Sequence, residues 1–290
     1  PADVAHYQLS ADITIGGTTL KLRYDGNAID AGEKEVVKNE VIYSGKPYGI
    51  TSVALNQVSE STCTVMIYTE REDVLKIHLP SDFIASLKNA ATFVKDIMYP
   101  DYSMEIINDT HADSWNKSTL TKNFKKYAEM FPEDKGFEWI AYDGTAGTIP
   151  QTTLAAYPVS GYYVMRNGWD KSSVMLIHKN SNDPDNWYHN QSDNGHISLY
   201  VNGRHFLPDA GFYTYNDDSN RNAYRETSMH NCITKQGQNS IEKRAGKLLK
   251  TETASEYELV VTENQSYSDL AHRRAIFFVE GKFFVVVDEA

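Results

Sequence analysis

The densest group of proton-transfer and metal-ligating residue types lies in WYHNQSDNGHISLYVNGRHFLPDAG, residues 187–211, followed by YRETSMHN, residues 224–231. These stretches bring His189, Gln191, Asp193, Asp209 and His230 into one short span. An imidazole gains or loses a proton near neutral pH, which suits general acid or base work. Gln191, Asp209 and His230 carry the oxygen and nitrogen donors that a divalent cation accepts. His189 and Gln191 stand two apart, so on an extended segment both project to one face. Spacing alone leaves another meaning open, because scattered histidines on strands are more often hydrogen-bonded structural groups than ligands. Asp209 precedes Gly211 closely enough to be an ordinary turn residue.

These side chains need strands to hold them. The stretch 196–201 reads as a strand running into an Asn202-Gly203 turn, and Asp209 ends the strand that returns. Residues 161–166 and 173–178 read as further strands. Near the start, Ile13 and Ile15, a Gly16-Gly17 turn, then Leu20, Leu22 and Tyr24 predict a hairpin with period-two burial. Strands are also expected around 41–43, 50–55 and 62–68. From about residue 73 the period changes, and Phe83, Ile84, Leu87, Ala90, Ala91, Val94, Ile97 and Met98 predict an amphipathic helix between Pro80 and Pro100. A second helix, capped by Ser118, carries Leu120, Phe124, Tyr127 and Phe131 and stops at Pro132. After the connector DGTAGTIP, strands resume. The last two strands, 275–279 and 282–287, flank Glu280-Gly281, and their nearly continuous apolar character predicts cover on both faces. Strands, then two helices, then strands imply a mainly β chain: an antiparallel β-sandwich with a helical appendage, not alternating βαβ units.

Composition narrows the function classes. A chain of 290 residues makes one large or two ordinary domains. With 28 Lys and Arg against 39 Asp and Glu, the net charge of −11 disfavours a general nucleic-acid binder. No apolar run approaches the roughly 18 residues that span a bilayer, and Pro1 begins without a signal-peptide pattern, so the chain reads as a soluble, mature or trimmed product. Cys63 and Cys232 allow one disulfide at most and are too few for a structural zinc cluster. Nineteen tyrosines suit strands and sugar-stacking surfaces as well as cores. The run KRAGKLLK at 243–250 has four basic and no acidic residues, a candidate contact for an anionic ligand, although a solvated loop is its commoner meaning.

HNQSDNG, NGRHFLPDAG, YRETSMHN and HRRAIFFVEGKFFVVVDEA together resemble the heparinase II/III family of polysaccharide lyases. LPSDFIASLKNAATFVKDIMYPDY resembles the last helical layers of that family's α/α toroid, and YPVSGYYVMRNGW resembles the start of its β-sandwich. The resemblance covers 79–290. VAHYQL, VIYSGKPYGITSVALNQ and TCTVMIYT also resemble family sandwich strands, but ones that normally follow VVVDEA. This order suggests a circular rearrangement, against which stands coincidental strand similarity; neighbouring chain ends would be required. The implied fold is a heparinase II/III-like antiparallel β-sandwich with a small helical remnant of a toroid. Its parts are 1–72, sandwich strands placed first; 73–150, the end of the toroid; and 151–290, the sandwich core with the HNQSDNG and PDAG motifs.

The resemblance implies β-elimination beside a uronic acid, in which the C5 proton is removed and the 4-O leaving group expelled. That chemistry needs a carboxylate neutraliser, a base and an acid. In the family, an Asn or neighbouring polar group and a Tyr come from toroid helices upstream of the matching stretch, and the third member is the histidine that His189 matches. Gln191 stands where some relatives have a second metal-binding histidine, while Asp209 and His230 match the other two metal positions. The implied cofactor is a structural divalent metal ion: calcium, manganese or zinc. Asn190, Asn194, Trp187, Arg166 and Arg225 are candidate substrate contacts, since Arg forks carboxylates or sulfates and Trp stacks on sugar faces. The implied partner is an acidic polysaccharide, heparan sulfate-like or alternatively alginate or another uronate polymer, with no nucleic acid or membrane. The implied location is periplasmic or secreted, in a bacterium. With only the end of the toroid matched, the chain is expected to have little or no activity alone. The competing function is a non-catalytic, metal-containing carbohydrate-binding or scaffold sandwich.

Overall fold

Period-two alternation through the first eighty residues produces six antiparallel strands in the computed structural model: β1 (Gln8–Ile15), β2 (Thr18–Asp25), β3 (Glu40–Tyr43), β4 (Lys46–Ser59), β5 (Thr62–Thr69) and β6 (Val74–Leu79). Each pairs with its neighbour in chain order. The structure describes residues 8–15, 18–25, 40–43, 46–59, 62–69, 74–79, 81–110, 115–182, 189–216, 219–240 and 246–290, with side chains from 84 onward. In the expected first hairpin, Ile13 pairs with Leu20, while its Gly16-Gly17 turn lies outside the described residues. The span from 73 does not begin as helix. Leu75, Ile77 and Leu79 alternate first, and β6 pairs Leu75 with Ile67 and Leu79 with Cys63.

Three helices follow: α1 (Ser81–Ile97), α2 (Lys117–Met130) and α3 (Lys135–Ala141). The cap of α2 is Asn116, whose Oδ1 accepts the Thr119 N–H at 3.0 Å, and not the expected Ser118. The sequence reading lacked α3. Asp134 starts it, its Oδ1 accepting from Gly136 N at 3.1 Å and Phe137 N at 3.3 Å.

The chain divides into two compact units, Pro1–Asn89 with Glu129–Glu133, and Ala90–Ala128 with Asp134–Ala290. In the second unit, β7 (Leu154–Tyr157), β8 (Tyr162–Arg166), β9 (Val174–Lys179), β10 (Ile197–Val201) and β11 (Arg204–Leu207) form one antiparallel sheet in the order β11-β10-β9-β8-β7. A short helix, α4 (Ser219–Tyr224), precedes a second sheet of β12 (Lys247–Thr253), β13 (Tyr257–Tyr267), β14 (Leu270–Val279) and β15 (Phe283–Glu289), paired in chain order. The two sheets face each other. Tyr163, Met165 and Leu176 of the first pack with Val260, Ile276 and Phe278 of the second. The opposite face of the first sheet, with Val164, Met175, Ile177 and Tyr200, is covered by Tyr99 and Ile107. Cover on both sides explains why β9 reads VMLIHK with no polar residue until its end.

His178 bridges the sheets, its Nε2 2.9 Å from Thr262 Oγ1 and its Nδ1 3.0 Å from the His196 carbonyl. The Asn202-Gly203 turn is present, with φ of 49° and 82° and Val201 paired to Arg204, as a two-residue hairpin requires. The last hairpin also forms, but its expected two-sided cover does not. Phe284 and Val286 pack on the core, whereas Phe283, Val285 and Val287 are 53%, 41% and 51% exposed, because β15 is an edge strand with one face outward. Cys232 is a free thiol, pushed up to about 12 by burial and then by Asp193. Among the described residues, no helix is long and apolar enough to cross a membrane.

Candidate functional site

β9 ends at Lys179, and the HNQSDNG segment returns the chain to β10 across the end of this sheet. A buried ion pair fixes the return, with Lys179 Nζ 2.6 Å and 2.8 Å from the two Asp193 oxygens. The same ammonium donates to Asn108 Oδ1. Gln191, fully buried, donates from Nε2 to the Asn108 carbonyl at 2.8 Å. Asn108 sits at φ 60°, the left-handed region that Asn tolerates, so its turn is held from two sides. The next residue, Asp109, thereby reaches His189, with 3.1 Å between Asp109 Oδ2 and His189 Nδ1.

His189 is 66% exposed in its side chain, whereas Asp109 is 3% exposed. Tyr215 stands edge-on to the His189 ring at 6.4 Å and donates its hydroxyl to the Asp109 carbonyl at 3.2 Å. Arg221, on α4, lies over the Tyr215 and Phe212 rings and 3.5 Å from Asp109 Oδ2. Asp109, Tyr215 and Arg221 were absent from the sequence reading. Asp109 is eighty residues upstream of His189, so no local spacing could have linked them.

The segment that carries His189 leads into a second constellation at His196. His196, Asp209 and His230 are buried, and one ligand atom from each lies within 4.8 Å of the others. Asp209 Oδ2 is 3.0 Å from His230 Nδ1 and 3.4 Å from His196 Nε2. The carboxylate is oriented by its own turn, Oδ1 accepting from Gly211 N at 2.7 Å. His196 Nδ1 accepts the Asn231 N–H at 3.1 Å, and its Nε2 meets Ser198 Oγ at 2.7 Å. Burial holds His196 below the usual histidine range, so its ring is neutral. His230 Nε2 is buried with no hydrogen-bond partner among the described residues. Two imidazoles, a carboxylate and an unpartnered ring nitrogen fit a divalent cation, and this buried group can hold one.

The sequence reading named Asp209 and His230 but passed over His196, which it treated as the first residue of a strand. The available signal was its position in DNGHIS, beside the other polar residues. Gln191 uses its amide nitrogen to pin Asn108, with a further 3.5 Å contact to Asp109 Oδ1.

Two candidate substrate contacts are buried. Arg166 is 2% exposed, its Nη2 donating to the carbonyls of Asp96 at 2.5 Å and Met98 at 3.0 Å, with its guanidinium 3.8 Å from the Trp169 ring. It pairs with Met175 while Tyr162 pairs with Lys179, which puts Arg166 at the opposite end of the sheet from the motif. Asn194 is buried because its amide holds the Ser181 backbone, accepting from N at 2.8 Å. Arg225 remains near His189 in the chain's fold through Asn190, whose carbonyl accepts from Arg225 Nη2 at 2.7 Å. Trp187 and residues 243–245 of the basic run lie outside the described residues; 247–250 belong to β12.

An antiparallel two-sheet sandwich with an exposed imidazole and a buried His-Asp-His group defines the class of molecule: a β-sandwich with groups for proton transfer and metal binding. Residues 28–139 match the family model "Heparinase II/III N-terminus" and residues 149–290 match "Heparinase II/III-like, C-terminal". The chain belongs to the heparinase II/III family. The two models follow in that order along the chain, and the first takes in residues 28–72, which resembled later sandwich strands by sequence. The distance between chain ends that bears on rearrangement involves Pro1, outside the described residues.

A heparin-sulfate lyase of Bacteroides thetaiotaomicron is 41% identical over 235 residues, 74% of this chain and 33% of that protein. A heparin-sulfate lyase of Pedobacter heparinus is 32% identical, over 74% of this chain and 33% of its own length. Among solved structures, a heparan sulfate lyase of Pedobacter heparinus superposes with a TM-score of 0.68 at 31% identity, covering 72% of this chain and 33% of that one. A heparinase III structure gives 0.66 at 40% identity, covering 72% and 35%. The chain therefore spans about a third of the length of the relatives it matches.

Proposed function

We propose that this chain serves a polysaccharide lyase acting on heparan sulfate, with His189 as an acid/base group in β-elimination. The observation that carries this reading is the exposed His189 imidazole at the sheet end of a chain 41% identical to a heparin-sulfate lyase. In the reaction the C5–H bond breaks as a base takes the proton. The electron pair forms the C4–C5 double bond, the bond from C4 to the glycosidic oxygen breaks, and that oxygen gains a proton. An imidazole serves either proton step near neutral pH. Among the described residues His189 Nε2 makes no hydrogen bond, which leaves it open to a substrate proton. Arg225 and Asn190 are the substrate contacts retained beside it.

His196, Asp209 and His230 would hold the divalent ion, which would tie the strand end to the loop of residues 227–230. Two imidazoles favour zinc over manganese, which suits oxygen donors, and over calcium, which takes six to eight oxygen ligands. Elimination consumes no water, so the ion serves structure and not water activation. A polymeric substrate places this work in the periplasm or outside the cell.

The test is incubation of the purified chain with heparan sulfate, alginate and hyaluronan, following the ultraviolet absorbance of the unsaturated uronate product. Turnover of heparan sulfate that His189→Ala abolishes supports the reading. Heparan sulfate binding without turnover supports the substrate class alone and makes the chain by itself the non-catalytic carbohydrate-binding sandwich. Turnover unaffected by His189→Ala removes that residue's role. Failure to bind or cleave any uronate polymer overturns the reading, and binding of alginate alone moves the substrate class.

A further inference from the structure

We infer that Asp109 is a positioning residue for His189, fixing the proton on Nδ1 and leaving the Nε2 lone pair facing solvent. The inference rests on the acid/base reading of His189 for its consequence, but on geometry alone for its structure. Asp109 Oδ2 lies 3.1 Å from His189 Nδ1. A carboxylate only accepts hydrogen bonds, so the nitrogen facing it carries the hydrogen. The opposite nitrogen then holds a lone pair, as a general base requires, or binds the proton it later gives up.

The pair is asymmetric in a way that suits this task. Asp109 is 3% exposed and His189 66% exposed in the side chain, so the fixed partner is inside and the reacting partner outside. Asp109 is itself over-determined. Arg221 Nη2 supplies a counter-charge 3.5 Å from the oxygen that faces His189, and Gln191 Nε2 lies 3.5 Å from the other oxygen. The Tyr215 hydroxyl holds the Asp109 carbonyl at 3.2 Å, and the preceding Asn108 is pinned by Lys179 and Gln191. A residue with only a stabilising role needs no such aim at an exposed ring. A hydrogen bond to a ring that is 66% exposed contributes little stability, so the order built around this one serves orientation.

The same arrangement gives a purpose to the polar residues of HNQSDNG. Gln191 reaches Asn108 and Asp109 directly, and Asp193 reaches Asn108 through Lys179. The motif both carries His189 and builds the turn that presents its partner.

The tautomer is read directly from the ring-nitrogen resonances of the ¹⁵N-histidine-labelled chain, with His189 assigned by its loss in His189→Gln. In the unsubstituted chain His189 should be mostly the Nδ1–H form. Asp109→Ala should convert it to mostly Nε2–H, and Asp109→Glu should restore part of the Nδ1–H population. The buried His178 resonances, unchanged across the series, report that the sandwich remains folded. A predominantly Nε2–H His189 in the unsubstituted chain overturns the inference, as does a tautomer ratio unaffected by Asp109→Ala in a folded chain. Because neither binding nor turnover enters this measurement, a chain with the expected tautomer that neither binds nor cleaves a uronate polymer would count against the lyase reading and leave the positioning intact. Where heparan sulfate is cleaved, Asp109→Ala should lower kcat by about a hundredfold with little change in KM.

Discussion

Lys179 Nζ sits between the two carboxylate oxygens of Asp193, at 2.8 Å and 2.6 Å, with the side chains 1% and 0% exposed. This pair closes the sheet end and is linked through Asn108 and Asp109 to the exposed histidine. Removing one partner strands the other charge in the interior. Asp193→Ala should therefore cost about 3–5 kcal/mol of stability, measured as a fall in the urea unfolding midpoint. The pair exchange Lys179→Met with Asp193→Leu should recover most of that loss, since apolar replacement of a buried pair is often neutral.

Buried histidines make stability depend on pH. Burial, and then Arg274, holds His178 at about 3, against an ordinary value of 6.5. The unfolded chain binds more protons between these values, so this contribution is complete above about pH 6.5 and is lost progressively as pH falls towards 3. His196, also lowered by burial, acts with the same sign. The denaturant midpoint should fall as pH drops below 6.5 and respond less steeply in His178→Gln. An equal slope in a folded His178→Gln variant would remove His178 from this account.

The His196, Asp209 and His230 group makes a separate prediction about ligand linkage. A metal that binds only the folded chain raises stability by about 2.7 kcal/mol at a free concentration a hundredfold above its dissociation constant. Zinc should raise the melting temperature of metal-stripped chain, and Asp209→Ala should abolish the increase. Calcium should have the smaller effect because this group presents two nitrogens. Equal increments with and without Asp209 would locate the binding elsewhere.

Arg166 now belongs to packing. Its two carbonyl contacts and its position on Trp169 predict that Arg166→Lys costs about 2 kcal/mol, because an ammonium cannot reproduce the planar fork. Calorimetry should find heparan sulfate affinity unchanged in the same variant. A selective loss of affinity without loss of stability would return Arg166 to the substrate contacts.

The elements that the sequence made legible are those with local signals. Alternation in 13–24, the Asn202-Gly203 turn and the three-four spacing from Phe83 to Met98 all require only neighbouring residues. The misses have long-range or competing causes. Strand β6 was hidden because Leu75, Ile77 and Leu79 abut a strongly periodic helix, and α3 was hidden by its seven-residue length. Exposure of Val285 and Val287 depends on what covers the outer sheet face, which an apolar run does not encode. At the site, His189, Asp209 and His230 announced themselves by residue type. Asp109 did not, since nothing in NDTHAD ties it to a residue eighty positions away until the fold brings it to His189. His196 required knowing that β10 starts beside Asp209 and not merely that it starts there.

The claim most in need of a direct test is that His189 meets the glycan. Heparan sulfate oligosaccharide should be titrated into the ¹⁵N-histidine-labelled chain while the ring-nitrogen resonances are followed. The account predicts a saturable shift of His189, with buried His178 unmoved and the shift lost in His189→Gln. Saturable binding that leaves His189 unchanged, or no binding at all, would contradict it.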